Sequence, residues 1–519
     1  MNYVGTARPI HDAKGKATGY SKYAGDISLS NMAYLCMLHS KIPHGYVKAV
    51  HAEKALALPG VYGVYHCLNT SERKYNRYRS SFDQAYLANE ERAFNQYVRF
   101  VGDKIGAVAA CDQETAEKAA RLVEVEYEEL SFSIGFDDTL AGKNCLDGET
   151  PVRDEYELDV GEKQGSAEGL IEVCSTMELP RLHHATMETH ACIADYDPYS
   201  DMLTVYCPNQ AVHGIRTVLA DFLEMPESHV RVVKATMGGS FGAKQEWFLE
   251  PVTALVAKKL CRPVKLVYSR GEAMTDTIVR GAMRMSARGY YTPDGEMKEI
   301  YCDVTLDAGA YIGNAGDYVR ALAGKPTRCY RIPYMHYHGQ VISSNSPVSG
   351  AFRSWSAAEE ALMMERQLDA AAEKLGMDRL AIRLKNVARS GEEDKKLHLS
   401  LEGIRIGDAI TLGSEKFGWD KLKAEDAAFN ASQQRYRRGV GIGIGGHGNT
   451  YFPRFNDYGE GSISLNADGS MQANFTLHDH GCGTVTAMRM IAAEVLKVPE
   501  DKIYMTEGDT AVTPIDYGC

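Results

Sequence analysis

The sequence has no closely spaced cysteines. Its twelve cysteines are scattered from Cys36 to Cys519, and none forms a C-x-x-C pair or another metal-ligand spacing. Iron–sulfur clusters need grouped thiolates, so none is expected on this chain. Scattered thiols in a chain this long read as reduced, mostly buried groups of a cytoplasmic protein. No apolar run reaches the ~18 residues that a membrane-spanning helix needs. The opening residues, Met1-Asn2-Tyr3-Val4-Gly5-Thr6-Ala7-Arg8-Pro9, lack the apolar core of a signal peptide, which also points to the cytoplasm. Long Lys/Arg clusters are missing as well, and the net charge is −12, so no nucleic-acid partner is expected. The short basic group Arg435-Tyr436-Arg437-Arg438 reads as a solvated strand entrance.

What is present is ordinary globular composition, with 44% hydrophobic and 24% charged residues. At 519 residues the chain exceeds what one hydrophobic core organises, so several domains are expected. Residues 104–110 read as a buried strand, and Asp112 as the N-cap of an Ala/Glu/Lys helix. Residues 123–127 alternate apolar and charged, as a half-buried strand does. Residues 131–165 are rich in Gly, Asp and Glu with little periodicity and read as a linker. Further on, strands are expected at 202–206 and 264–268. A long amphipathic helix is expected over 357–375, stopped by Gly376, and a shorter one follows to 387. The run Arg438-Gly439-Val440-Gly441-Ile442-Gly443-Ile444-Gly445 alternates glycine and apolar residues, which fits a crowded strand better than a phosphate loop.

One segment carries more chemistry than the rest. Met237-Gly238-Gly239-Ser240-Phe241-Gly242-Ala243-Lys244-Gln245-Glu246 lies between a strand-like run (230–235) and a helix-like run (248–257). Glycines there let backbone N–H groups approach a ligand closely, and N–H groups at a helix start favour an anionic or oxo group. There is also an internal echo. Residues 210–234 and 481–506 share one layout of polar turn, helix, proline, acidic residue and strand. Two related halves facing each other across a ligand would produce this pattern.

The chain resembles the molybdenum-binding subunit of the xanthine dehydrogenase and aldehyde oxidase family. Gly5-Thr6-Ala7-Arg8-Pro9 with Lys16-Ala17-Thr18-Gly19 is similar to the family's start. Met187-Glu188-Thr189-His190, residues 238–244, and Gly350-Ala351-Phe352-Arg353 then match in order and at similar separations. The resemblance implies an α+β architecture. A hammerhead-like α/β domain would occupy 1–130, followed by the linker at 131–165. A first large mixed α/β molybdopterin-binding domain would follow over 166–400, and the start of a second, incomplete one over 401–519. It implies molybdenum held by molybdopterin, in bacterial relatives usually as the cytosine dinucleotide. It also implies [2Fe-2S] clusters and FAD on partner subunits, and hydroxylation with water as the oxygen source.

Residue by residue, the resemblance sets Gln210 beside an oxo ligand of the metal. Gly239, Phe241 and Gly242 fall in the loop whose backbone comes nearest, and Arg353 lies beside the centre. Its apolar neighbours Ala351 and Phe352 argue against full exposure of Arg353. Arg320 matches the arginine that offsets charge on a purine-like substrate. Trp355, with Tyr451 or Phe452, falls where aromatic rings sandwich a planar substrate. Gln245 stands where xanthine oxidases often carry a glutamate, which weakens a purine role because an amide cannot shuttle a proton. Cys482, followed by Gly483, replaces a pterin-binding glutamine. Ser354 stands near where the copper-containing carbon monoxide dehydrogenases carry a cysteine. The family's catalytic glutamate would lie beyond Cys519. Either a second molybdopterin chain supplies it or the chain is a truncated product. Substrates that fit the resemblance are purine-like heterocycles first, then aldehydes, nicotinate-like acids or aryl-thioesters. An inactive scaffold is the remaining reading.

Overall fold

The structure, a computed structural model, describes residues 3–78, 89–146, 150–163, 165, 168–432, 435–448 and 459–516. Seven strands form its largest sheet. In spatial order they are Val230–Lys234, Met202–Cys207, Ala191–Asp197, Val264–Val267, Ala33–His39, Lys104–Ala110 and Val61–His66. The last three come from the first expected unit and the others from the second. Ala33 pairs in parallel with Val264, so this sheet runs across the boundary drawn near residues 130–166. Lys104–Ala110 is buried at every position, and after Lys104, whose ammonium pairs with Glu91, its residues are all small or apolar. Asp112 caps the helix Gln113–Ala120 by accepting from the Thr115 N–H at 2.7 Å. Helices Val212–Leu223 and Glu250–Leu260 bury Val212, Ile215, Leu219, Val252 and Val256 in the core shared with this sheet.

A second sheet has five strands in the order Ile171–Leu179, Ala282–Tyr291, Met297–Gly309, Tyr334–Ser343, Val152–Gly161. The helix Ala357–Leu375 buries Met363, Met364, Leu368, Ala371 and Ala372 in the core of this sheet, and ends at Gly376 in the left-handed region. Two expectations need correction here. Part of the expected linker is a ten-residue edge strand, Val152–Gly161. Tyr156, Leu158 and Val160 alternate toward the core, a period of two masked by the acidic residues between them. The glycine-alternating stretch ending at Gly445 enters no strand ladder. Ile442 and Ile444 do pack against the second core, and a Cβ at the following Gly446 would lie 2.7 Å from Cys329 Sγ, so glycine lets the backbone pass close there.

The echo is structural. Strands Ala191–Asp197 and Met202–Cys207 form an antiparallel hairpin. The helix Val212–Leu223 then crosses to Val230–Lys234, which pairs in parallel with the second hairpin strand. Gly461–Leu465 and Met471–Phe475 repeat the hairpin, Thr484–Leu496 the helix, and Ile503–Glu507 the parallel strand. Both helices end on a left-handed residue, Glu224 and Lys497, and a short 3-10 turn precedes each last strand. The two units meet edge to edge. The Lys234 N–H donates to Gly508 O at 2.7 Å, the Thr510 N–H donates to Val232 O at 3.0 Å, and Arg231 grips Asp509 through two bonds of 3.0 and 2.6 Å.

Candidate functional site

The glycine loop leaves the strand Val230–Lys234 and runs into the helix Glu250–Leu260. Phe241 occupies the left-handed region (φ +56°) with its ring 45% exposed, an unusual state for a large apolar residue. Gly242 (φ +100°) is required by packing as well. A Cβ there would lie 2.6 Å from Ala351 O and 3.0 Å from Phe352 Cα. Two loops distant in sequence therefore touch backbone to backbone. The Arg353 N–H donates to Phe241 O at 2.7 Å and fixes their register.

Gln210 joins them from the turn before helix Val212–Leu223. Its side chain is buried, and its Oε1 accepts from Ser240 Oγ. Its backbone N–H donates to Lys244 O at 2.8 Å. The Ser240 bond occupies the acceptor end of the amide and orients the donor end, the end that suits an oxo group. Gln210, Phe241 and Arg353 thus share one place in the fold. Contrary to the expectation from its apolar neighbours, Arg353 is exposed. Phe352 takes the inward position instead, stacked 4.1 Å from His184 with Arg280 over its ring at 4.3 Å.

The segment 183–190 supports both loops. Glu188 Oε2 accepts from the Gly238 N–H at 2.7 Å and from Lys244 Nζ at 2.5 Å. Burial pulls the Lys244 ammonium below its ordinary value while Glu188 opposes that shift. His190 Nε2 lies 2.9 Å from Ala243 O, and His184 Nε2 2.9 Å from Ala351 O. A carbonyl partner requires that nitrogen to carry the hydrogen. Burial lowers His190 to about 3 and His184 to about 4, so both rings donate as neutral imidazoles. In the sequence, Glu188 and His190 stood within a family match but had no role of their own. Ser240 and Glu246 were read only as members of the glycine-loop segment, and His184 was missed altogether. The one signal for Glu246 was a glutamate leading directly into the apolar Trp247-Phe248 run.

Beyond Arg353, Ser354, Trp355 and Ser356 all adopt left-handed φ (84°, 33° and 61°), three consecutive non-glycine residues in a region costing about 1–3 kcal/mol each. Lys325, 6% exposed, donates to Trp355 O and to Ser356 Oγ and holds this turn from below. Burial lowers its ammonium to about 8. The half-buried Trp355 ring lies 5.4 Å from Tyr318 and 6.3 Å from Tyr78. Tyr318 shares the helix Ala315–Leu322 with Arg320, whose guanidinium is gripped by Asp154 through bonds of 2.5 and 2.8 Å. Gln245 is half-buried, its N–H on Gly242 O at 3.2 Å. Tyr451 and Phe452 lie outside the described residues.

On the other unit, Cys482 is exposed and Gly483 (φ +80°) stands at the start of helix Thr484–Leu496. Asp479 caps this turn, accepting from the N–H groups of Gly481, Gly483 and Val485, and these bonds lower its carboxyl. Lys234 Nζ donates to Asp479 O at 3.0 Å and pairs with Glu507 at 3.0 Å. The Cys482 turn is thereby tied to the strand that feeds the glycine loop. His213, in the helix after Gln210, meets Thr476 at 3.4 Å. Among the described residues no three His, Cys, Asp or Glu side chains converge as a metal site. The groups brought together are backbone N–H groups and the Gln210 amide, with the exposed Arg353 side chain on the adjoining loop. Such a set fits a metal that brings its own anionic ligands, as molybdenum on a pterin dithiolene does.

The fold and this site define a molybdopterin-binding protein with an N-terminal hammerhead domain. Residues 18–131 match the "Aldehyde oxidase and xanthine dehydrogenase, a/b hammerhead domain". Residues 152–387 and 412–519 each match a "Molybdopterin cofactor-binding domain". The chain belongs to the molybdenum hydroxylase family of xanthine dehydrogenases and aldehyde oxidases, which are oxidoreductases. It is 29% identical to a xanthine dehydrogenase molybdenum-binding subunit from Escherichia coli O157:H7, over 98% of this chain and 68% of that protein. It is 31% identical to a probable xanthine dehydrogenase subunit from Bacillus subtilis (strain 168), over 99% of this chain and 67% of that protein. Its fold superimposes on quinoline 2-oxidoreductase from Pseudomonas putida 86 with a TM-score of 0.89 at 23% identity, covering 99% of this chain and 67% of that one. Among the described residues no helix is long and apolar enough to cross a membrane.

Proposed function

We propose that this chain forms one side of a molybdenum–molybdopterin site that hydroxylates a planar N-heterocycle, purine-like in shape, within a dehydrogenase of several subunits. The observation that supports it is the junction of Gln210, Phe241 and Arg353 through Ser240 and the Arg353–Phe241 backbone bond. When bound, the molybdenum centre delivers an oxygen derived from water and takes up the electron pair. The residues of this chain bind and orient. The Gln210 amide would donate to an oxo ligand, and the N–H groups around Phe241 and Gly242 would face the same centre. Arg353 contributes a cation, and Gly239 and the Cys482-Gly483 turn border the pterin from the two units. The cytosine dinucleotide is the expected pterin form. Trp355, with Tyr451 or Phe452, gives a flat substrate an aromatic wall that orients it at little entropic cost. Arg320 offsets negative charge developing on the ring. Gln245 hydrogen-bonds the ring without moving a proton. Iron–sulfur and FAD subunits carry the electrons away.

One observation favours a second reading. Asp154 holds Arg320 in a bidentate pair, and Gln245 replaces a carboxylate, so neither group is arranged as a purine would best use it. Aldehydes, nicotinate-like acids or aryl-thioesters are the alternative substrates. Initial rates of the complete complex with purines, aldehydes and pyridine carboxylates separate the two. In the purine reading R320M lowers kcat on oxopurines ~10²–10³-fold, as loss of an oxyanion donor does. Unchanged turnover removes Arg320 from the reaction.

A further inference from the structure

Glu246 has a place in this site that neither the sequence motif nor the proposed chemistry assigns. It follows Gln245 and is 1% exposed. The residue touches three separate segments, two through its carboxyl and one through its backbone carbonyl. Asn314 Nδ2 donates to Oε1 at 2.9 Å, and Asn314 immediately precedes the helix that carries Arg320. A Cβ on Gly350 would lie 2.4 Å from the same Oε1, so the carboxyl rests directly on the start of the 350–353 loop. Its backbone carbonyl accepts from Asn209 Nδ2 at 2.9 Å, next to Gln210.

Two atoms in this arrangement lack donors. Among the described residues, Glu246 Oε2 and Asn314 Oδ1 are both buried acceptors with no hydrogen-bond partner. Leaving two such atoms unmet in a low-dielectric interior is costly. A single proton on Oε2 satisfies both. The carboxylic acid would then donate to Oδ1 while the amide donates to Oε1, a pairing of two hydrogen bonds between the two planar groups.

We propose that Glu246 is a positioning residue that carries a proton on Oε2 and donates it to Asn314 Oδ1. The acid–amide pair fixes the Gln245 turn, the helix of Arg320 and the 350–353 loop in one register. Groups near it pull in opposite directions. The Arg77 guanidinium and the Ala351 N–H favour the ionised form, while Glu91 disfavours it. Burial outweighs them and raises the carboxyl to about 8, in keeping with a neutral acid at pH 7. The importance of this register for turnover rests on the molybdenum-hydroxylase reading, whereas the protonation does not.

The test uses E246Q, because glutamine keeps both bonds, its amide N–H to Asn314 Oδ1 and its carbonyl from Asn314 Nδ2. In an infrared difference spectrum of wild type minus E246Q at pH 7, the carbonyl band of a protonated carboxylic acid is expected in the wild type. Ionised carboxylate bands in its place overturn the proposal. Thermal unfolding gives a second reading. Stability that depends on a proton at a raised carboxyl falls as pH rises from the ordinary 4.5 toward about 8. E246Q should therefore gain on wild type across that range, and a constant difference contradicts the proposal. Failure of E246Q to fold also overturns it, since both bonds are retained in that variant. E246A breaks both bonds and should hold less pterin per chain than E246Q, and equal pterin content removes the positioning role. A wild-type protein that binds no molybdenum sinks the hydroxylase reading and leaves the infrared result standing.

Discussion

Replacing Gly242 with alanine tests whether the two site loops meet as described. Gly242 has φ +100°, where an L side chain costs about 1–2 kcal/mol. The new Cβ would also approach Ala351 O at 2.6 Å, Ala351 C at 2.8 Å and Phe352 Cα at 3.0 Å. These are backbone atoms that no rotamer change can move, so an overpacking cost of about 1–3 kcal/mol is added. The sum is about 2–5 kcal/mol, released in part by separating the 239–243 loop from the 350–353 loop. Gly376 is the control. It caps the helix Ala357–Leu375 at φ +63° with nothing within 4 Å of an added Cβ. G376A thus carries the conformational cost alone. Urea unfolding of both variants, followed by far-UV circular dichroism, should put G242A below G376A by about 1–3 kcal/mol. Pterin content should fall in G242A and stay level in G376A. Equal destabilisation, or full pterin retention in G242A, refutes the backbone contact between the loops.

Acid should weaken the site before it weakens the rest of the fold. His190 and His184 are held neutral, with values lowered from 6.5 to about 3 and about 4, so the unfolded chain takes up protons that the folded chain refuses. Their contribution is complete above pH 6.5 and falls by about 1.4 kcal/mol per pH unit per ring below it. Unfolding of H190Q between pH 6.5 and 4 should show a shallower pH dependence than wild type, and parallel curves would contradict neutral donation. Asp509 has a lowered carboxyl despite its burial, through Arg231 and the Ala511 N–H. Its contribution is present above the ordinary 3.8 and lost as pH falls below that. D509N should loosen the 459–516 unit at neutral pH by about 1 kcal/mol, as a half-exposed arginine partner allows, and speed its proteolysis. Unchanged cleavage would mean that the edge contact is held by Thr510 and Gly508 alone.

Local patterns were legible in the sequence. The helix ending at Gly376 and the strand–helix–strand over residues 104–129 rest on periodicity and caps that neighbouring residues decide. The echo was legible because both copies kept their proline and acidic punctuation. The strand Val152–Gly161 was not, since alternating carboxylates concealed its apolar face. Arg353 was expected to be shielded because sequence neighbours were taken as spatial ones, yet Phe352 turns inward and Arg353 outward. The pairing of Arg320 with Asp154 spans 166 residues, and no local pattern encodes it. Glu246 was noted only as the neighbour of Gln245, because its meaning depends on Asn314 and Gly350, both far along the chain. The junction of Gln210, Phe241 and Arg353 was anticipated from ordered motifs, while the Ser240 and backbone bonds that make it came only from the fold.

The central claim is that donors from two loops and a helix turn converge to receive a metal that brings its own ligands. Elemental analysis of the purified complex, with partner subunits retained, tests it most directly. The account expects about one molybdenum and one pterin per chain, both reduced together by G242A. No more than a trace of molybdenum, with all partner chains present, would contradict it.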